Sequence, residues 1–88
     1  MKINPKFRLR SLAGENVIFM PGVVDKDTSK LMVLNETSAW LWNQLEGKDF
    51  DTEDVAKLLL SEYEVDETVA LHDSEEWISL LASHHIFD

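Results

Sequence analysis

The sequence has 88 residues, of which 44% are hydrophobic and 28% charged, so it excludes a disordered chain, and its length allows one core but not two. It has no Cys, which excludes disulfide bonds, cysteine nucleophiles and cysteine-held iron–sulfur clusters. Its net charge of −9 disfavours nucleic acid as a partner, because phosphates are bound largely by Lys and Arg.

The chain begins with a short basic segment, residues 1–10, that no long apolar run follows. A secretory signal needs an apolar stretch of about 7–15 residues, and a membrane-spanning helix needs about 20. The sequence predicts neither. We therefore expect a single domain over residues 1–88, located in the cytoplasm and without a membrane partner.

Three short strands are predicted in the first 34 residues. They are residues 7–12, 16–20 and 30–34. In the first, Phe7 and Leu9 alternate with two Arg residues, which is the period of a strand with one wet face. A turn at residues 13–16 joins the first two strands into a hairpin. The breaker pair Pro21-Gly22 and a polar loop over residues 25–29 separate the second strand from the third.

The third predicted strand is apolar without interruption from Leu31 through Met32 and Val33 to Leu34, after Lys30. An outer strand of a small sheet usually alternates, because one of its faces meets water. Two explanations are open. Helices of this domain could cover one face and the chain ends the other, or part of the strand and its groove could be left for an extended peptide, which would pair with the free edge.

From residue 35 the apolar period becomes helical, and three helices are predicted. They run from Asn35 to Gly47, from residue 51 or 52 to about residue 64, and from about Glu67 to Ser83. Their predicted inner faces are Ser38, Leu41, Trp42 and Leu45; Val55, Ala56, Leu59, Leu60 and Tyr63; and Ala70, Ser74, Trp77 and Leu81, with Leu71 and Ile78 beside the last. Ile86 and Phe87 are expected to pack against the core. Three strands followed by three helices make an α+β fold with segregated elements.

The second part of the chain carries a run of residues with a characteristic spacing. It comprises Leu34–Ala39, Leu41-Trp42, Leu45–Gly47, Thr52–Ala56, Leu59, Glu62–Asp66, Asp73, Trp77-Ile78, Leu81 and Ile86. This run, within residues 30–87, resembles the PqqD-like family. The resemblance implies a winged-helix-like domain that acts as a precursor peptide recognition element in pathways making ribosomally synthesised, modified peptides.

The resemblance also implies a function and a site. Such domains are not enzymes and need no cofactor; they bind the leader of a precursor peptide as an added strand and present its core to a modifying enzyme, often a radical S-adenosylmethionine enzyme. The peptide-binding residues that it implies here are Lys30, Leu31, Met32, Val33 and Leu34 on the third strand and Leu71, Ser74, Glu75 and Ile78 on the third helix.

Two residues depart from the family pattern. Ser74 follows the third-helix Asp where the family commonly has an apolar residue, which would make the groove more polar. Trp40 falls about 200° around the first helix from Ser38, where the family often has a polar residue. Facing outward, Trp40 would be a contact for a partner enzyme or for self-association. Alternatively, the N-terminal segment folds over it.

No metal or catalytic motif is predicted. His72, Asp73 and Glu76 lie within about one helical turn, and His84-His85 follows, but this spacing is no recognised ligand set. Nothing places a Ser on a nucleophile turn, and the three Gly are isolated rather than gathered in a phosphate-binding loop.

Two other functions fit the same pattern of elements. A winged-helix regulator would present the third helix to DNA, but that helix carries Glu67, Asp73, Glu75 and Glu76, which would repel phosphates. Residues 31–88 as a whole hold two Lys/Arg against fourteen Asp/Glu. A structural subunit that stabilises a larger enzyme without touching its substrate is the other alternative, and the sequence leaves it open.

Overall fold

The structure, a computed structural model, describes residues 1–20 and 30–88, apart from the side chains of residues 30 and 31. Its strands are β1 (Arg8–Leu12), β2 (Glu15–Phe19) and β3 (Lys30–Leu34), and its helices are α1 (Glu36–Leu45), α2 (Thr52–Glu62) and α3 (Glu67–Ser83). The predicted α+β order of three strands and three helices is confirmed. The predicted breaker at residues 21 and 22 and the loop over residues 25–29 lie outside the described residues.

A two-residue turn joins β1 to β2. Leu12 lies opposite Glu15, so that Ala13 and Gly14 form the loop, and both have positive φ angles, 51° and 83°. Two successive positive φ angles give a turn whose twist matches that of the flanking strands. Gly14 adopts this conformation without a steric penalty, whereas Ala13 does so at a cost of about 1–2 kcal/mol.

The sheet is antiparallel, with β2 between β1 and β3. Leu9, Ile18 and Met32 lie in one row across the three strands and pack into or against the core. Because side chains alternate along a strand, the neighbouring row points to the other face of the sheet. The predicted alternation of β1 is confirmed, since Phe7 and Leu9 face inward and the two Arg residues are exposed.

One core joins the sheet, the helices and the chain ends. Its buried members are Ile3, Phe7, Ile18, Leu34, Ala39, Leu41, Trp42, Leu45, Phe50, Val55, Ala56, Leu59, Ala70, Trp77, Leu81 and Ile86. The predicted inner face of α3 is confirmed, with Ala70, Ser74, Trp77 and Leu81 all buried. Phe50 lies in the loop before α2, and its ring packs on those of Trp77 and Phe87, at centroid distances of 6.3 and 5.9 Å. The sequence did not predict Phe50 as a core residue, because it belongs to no periodic segment.

The predicted inner face of α2 was too wide. Val55, Ala56 and Leu59 are buried, but Leu60 and Tyr63 are 40% and 38% exposed, so their assignment to the core is wrong. Leu60 lies about 100° around the helix from Leu59, which places it at the solvent-exposed edge of the contact between α2 and α3. Tyr63 follows the last residue of α2 in extended backbone, where the helical period no longer applies.

Each helix begins after an N-cap residue whose side chain accepts a backbone hydrogen bond. The side chain of Asn35 accepts a hydrogen bond from the backbone N–H of Ser38 at 2.8 Å, and that of Asp66 accepts one from Val69 at 2.8 Å. Asp51 and Asp54 exchange side-chain and backbone hydrogen bonds at the start of α2. Gly47, with a φ of 80°, follows the end of α1.

The two ends of the chain meet. Ile3 bridges to Phe87, and the backbone N–H of Asn4 donates to the carbonyl of Ile86 at 2.9 Å, which confirms that the tail packs against the core. The terminal ammonium group donates to Asp49 at 2.9 Å, and this hydrogen bond, with its charge, lowers the pKa of that carboxyl group. In the part of the chain that is described, every helix is too short or too polar to cross a membrane.

Candidate functional site

Strand β3 has a free edge. Within residues 1–20 and 30–88, the sheet ends at β3, which pairs with β2 on one side only. The pairing of Leu34 with Asn16, Val33 with Val17 and Met32 with Ile18 is regular, and then a shift places Lys30 opposite Phe19. The unpaired N–H and C=O groups of an edge strand are a template for an extended peptide, and the irregularity limits the regular part of this template to residues 32–34.

The side chains of β3 divide between two faces. Leu34 is buried, and Met32 is half-buried against the core. Val33 points to the opposite face and is 44% exposed. The helices of the domain therefore cover the inner face of this strand, whereas the outer face is left open at Val33. The side chains of Lys30 and Leu31 lie outside the described part of the chain, so their roles stay predictions.

A cavity of about 380 Å³ opens where β3 passes into α1. Its lining comes from the start of α1, from α2 and from one flank of α3: Asn35, Thr37, Ser38, Leu41, Leu59, Asp73, Glu76, Trp77 and Leu80. Asn35 directly follows the last residue of β3. The lining includes the apolar residues Leu41, Leu59, Trp77 and Leu80, and its charged groups among the described residues are the two carboxylates. Such a cavity can hold one side chain of a peptide.

The predicted groove residues of α3 lie elsewhere on that helix. Leu71 lines a separate cavity of about 250 Å³ between α2 and α3, together with Ala56 and Leu60. Ser74 is fully buried, and its hydroxyl donates to the carbonyl of Ala70 at 2.6 Å. The structure therefore does not bring these residues to the cavity beside β3, and their contact with a peptide stays a prediction.

The other two predicted groove residues differ in exposure. Glu75 is exposed to solvent, and Ile78 is half-buried against the core. Neither residue lines either of the two cavities described above. Their role in peptide binding likewise stays a prediction.

The flank of α3 that does line the cavity carries a helical signal of its own. Asp73, Glu76, Trp77 and Leu80 are spaced i, i+3, i+4 and i+7, which places them on one face. In the sequence, Asp73 belongs to the run that carries the family resemblance, and Asp73 and Glu76 also fall in a spacing that matches no metal site and among the residues that would repel DNA. The packing of α3 against α1 and α2, which no local pattern encodes, decides which flank lines the cavity.

Trp40 is half-buried and packs against the core. Its ring meets that of Tyr63 edge-to-face, with centroids 5.9 Å apart and planes at 89°. The aromatic neighbour is therefore the residue after α2. The expectation that Trp40 faces away from the core is therefore wrong, because its ring is half-buried against the core. Its role as a contact for a partner stays a prediction.

The charges around the cavity are acidic and weakly compensated. Nε2 of His72 lies 3.1 Å from a carboxylate oxygen of Glu76, with both side chains largely exposed. Asp73 has no hydrogen bond or ion pair with its side chain among the described residues. In residues 1–20 and 30–88, no three His, Cys, Asp or Glu side chains gather closely enough to hold a metal ion.

Comparison with known proteins gives a family and two structural neighbours. A family model described as PqqD, coenzyme PQQ synthesis protein D, matches residues 22–86. No curated protein matches the chain in sequence. The fold is similar to that of TbiB1 in complex with the TbiA(beta) leader peptide, with a TM-score of 0.74 and 21% identity over 100% of this chain and 95% of that one. It is also similar to a lasso peptide synthetase B1 complexed with the leader peptide, with a TM-score of 0.68 and 24% identity over 93% of this chain and 89% of that one.

Proposed function

The chain belongs to the PqqD family, and from that membership we propose that it is a non-catalytic adaptor that binds the leader of a ribosomally made precursor peptide and presents the peptide to a modifying enzyme. The observation that carries the proposal is the free edge of β3 beside an open cavity. Two proteins of the same fold have been solved with leader peptides, which supports the same class of ligand here.

In this proposal the leader lies alongside β3 as a fourth strand. Each net hydrogen bond in such a pairing contributes about 0.5–1.5 kcal/mol, so the two to four bonds that so short an edge can offer contribute about 1–6 kcal/mol. Micromolar affinity requires about 8 kcal/mol, before the cost of ordering the peptide is counted. Backbone pairing alone is therefore too weak, and side chains of the leader must supply the difference.

Two apolar surfaces flank the free edge and could supply it. Val33 offers an exposed side chain on the outer face of the sheet, and the cavity between α1 and α3 lies past the end of the strand. A fully buried aliphatic or aromatic side chain contributes about 1.5–3 kcal/mol. One or two such anchors add about 1.5–6 kcal/mol, so that the upper part of the combined range reaches what micromolar affinity requires.

The charge of the molecule bears on its partners. The exposed surface of α3 carries Asp73, Glu75 and Glu76, so we infer that this helix does not enter a DNA groove and that a DNA-binding function is disfavoured. The modifying enzyme is the second partner in the proposal, with radical S-adenosylmethionine enzymes as the class to test first. The adaptor itself would supply binding and positioning, with no cofactor and no reaction of its own.

An NMR titration of the labelled protein with synthetic leaders of short peptides encoded beside its gene tests the proposal. We expect shifts concentrated at residues 32–34 and on the flank of α3 that holds Trp77. If none of these peptides causes shifts and the protein binds tightly to an enzyme encoded beside its gene, the result would instead support the alternative that the chain is a structural subunit of that enzyme.

A further inference from the structure

We propose that the cavity between α1 and α3 binds a lysine or arginine side chain of the peptide that pairs with β3. This inference rests on the proposed function and adds to it the chemical class of one anchoring residue. The cavity has a volume of about 380 Å³, which is enough for one long side chain.

The lining of the cavity fits a side chain with an apolar stem and a cationic end. Leu41, Trp77 and Leu80 provide apolar surface, and among the described residues Asp73 and Glu76 provide the charges of the lining, both negative. Lys and Arg pack their methylene groups on apolar surface while the charged group stays near water. A carboxylate ligand would meet two like charges, and a purely apolar side chain would leave Asp73 without a partner.

Existing partners do not neutralise these carboxylates. Glu76 has one contact, with His72 at 3.1 Å, and Asp73 has none among the described residues. The charge of the surroundings points the same way, because residues 31–88 hold fourteen Asp/Glu and two Lys/Arg. This excess attracts a cationic peptide and raises the rate at which it arrives.

The start of α1 also borders the cavity, and a helix N-terminus carries about half a positive charge. That partial charge would favour an anion, but the side chain of Asn35 already accepts a hydrogen bond from the N–H of Ser38. Two full negative charges outweigh the remaining half-charge. The net field in the cavity therefore favours a cation.

A second observation points to a ligand with a hydrogen-bond acceptor. Trp77 is 5% exposed and lines the cavity, and its indole N–H is buried without a hydrogen-bond partner among the described residues. A buried donor without a partner is costly, because it loses its hydrogen bond to water and gains none in the protein. A peptide that brings a carbonyl group into the cavity together with its cationic side chain could supply the missing acceptor.

Host peptides with one variable residue test this inference. The probes are eight-residue peptides of alternating Thr and Val, with Lys, norleucine or Glu at one inward position, titrated at low salt and followed by NMR. The expected result is that the Lys peptide binds about 3- to 10-fold more tightly than the norleucine peptide and that the Glu peptide binds most weakly. The chemical shifts that the Lys peptide changes should include that of the Trp77 indole N–H.

The protein variants are Asp73→Asn with Glu76→Gln and, as the control that removes the same charge outside the cavity, Glu62→Gln with Glu64→Gln. The cavity variant should lose the preference for Lys, and the control should keep it. Shifts at residues 32–34 that do not depend on the guest residue would overturn the cavity inference and leave strand pairing intact. If no peptide shifts residues 32–34, the proposed function fails as well.

Discussion

The sheet has two outer strands, β1 and β3, and each offers one unpaired backbone edge among the described residues. The side chains on β1 are mostly exposed and include Arg8 and Arg10, and only Leu9 packs against the core. Those of β3 include the buried Leu34 and the half-buried Met32, and the strand leads into the cavity at α1. The backbone groups are equivalent, so the side chains and the neighbouring helices decide which edge is suited to a peptide.

Charge protects an edge strand from unwanted pairing, and exposed Arg residues give β1 this protection. On β3 the position across the sheet from Arg10 is the apolar Val33, and the edge is kept short by its irregular register near Lys30. A short apolar edge beside a cavity selects a partner that can fill the cavity. The following changes test this difference between the two strands, beginning with the largest expected effect.

Leucine truncation separates the structural roles of the two strands. Leu34→Ala on β3 should lower the free energy of unfolding by about 2–5 kcal/mol, because Leu34 is 3% exposed and its truncation leaves a cavity in the core. The matched variant Leu12→Ala on β1 should change it by less than about 0.5 kcal/mol, because Leu12 is 54% exposed. Urea unfolding measures both, and equal losses would contradict the asymmetry.

Proline substitution tests the free edge of β3 directly. Adjacent N–H groups of a strand point to opposite edges, so of Met32→Pro and Val33→Pro one breaks the pairing with β2 and the other removes a donor from the free edge. We expect one variant to lose its fold by circular dichroism and the other to fold and bind a leader at least about 5- to 10-fold more weakly.

The control for that experiment is the same pair on β1, Arg10→Pro and Ser11→Pro. Whichever of these folds should bind the leader as tightly as the parent. A folded β3 variant with unchanged leader affinity would contradict pairing of the leader with β3. A folded β1 variant with weakened leader binding would indicate that the leader pairs with β1 instead.

The basic surface of β1 should contribute to stability rather than to binding. The guanidinium group of Arg10 lies 5.5 Å from the centroid of the Phe19 ring. Arg10→Ala should therefore lower the free energy of unfolding by about 0.5–1 kcal/mol. Leader affinity, measured by calorimetry at about 0.15 M salt, should stay within about twofold; a larger loss would show that β1 takes part in binding.

The smallest effect is expected at Asp49, which lies on neither strand. Its pKa is lowered by the hydrogen bond and charge of the terminal ammonium group, so its contribution to stability is present above its unfolded pKa, about 3.9, and is lost as the pH falls through the folded value. Asp49→Asn should therefore slightly destabilise the protein from pH 5 to 7, and the difference should shrink as the pH falls below the unfolded pKa. Thermal unfolding as a function of pH measures this, and a difference that grows as the pH falls would contradict it. Leader binding should not change.

The elements and most of the core could be predicted from the sequence because they depend on local signals. The N-caps at Asn35 and Asp66, the glycine after α1 and the stripe of Ala70, Ser74 and Trp77 each follow from spacing within one helix. The tail at Ile86 was also placed correctly.

The details of the site depend on how the elements are arranged in space. The sequence indicated β3 as unusual, but spacing within α3 could not show which of its flanks lines a cavity next to α1. The structure has Asp73 and Leu80 there, and the peptide contact of Leu71, which the family resemblance implies, stays a prediction. Phe50 was missed for a related reason, because a single aromatic residue in a loop gives no period.

Amide hydrogen exchange of the leader-bound protein, measured residue by residue by NMR, tests the central claim most directly. If the leader pairs with β3, the amides within residues 32–34 that exchange freely in the unbound protein become protected, and those of residues 8–12 do not change. Protection that appears on β1, or tight leader binding without any new protection on β3, would contradict the account.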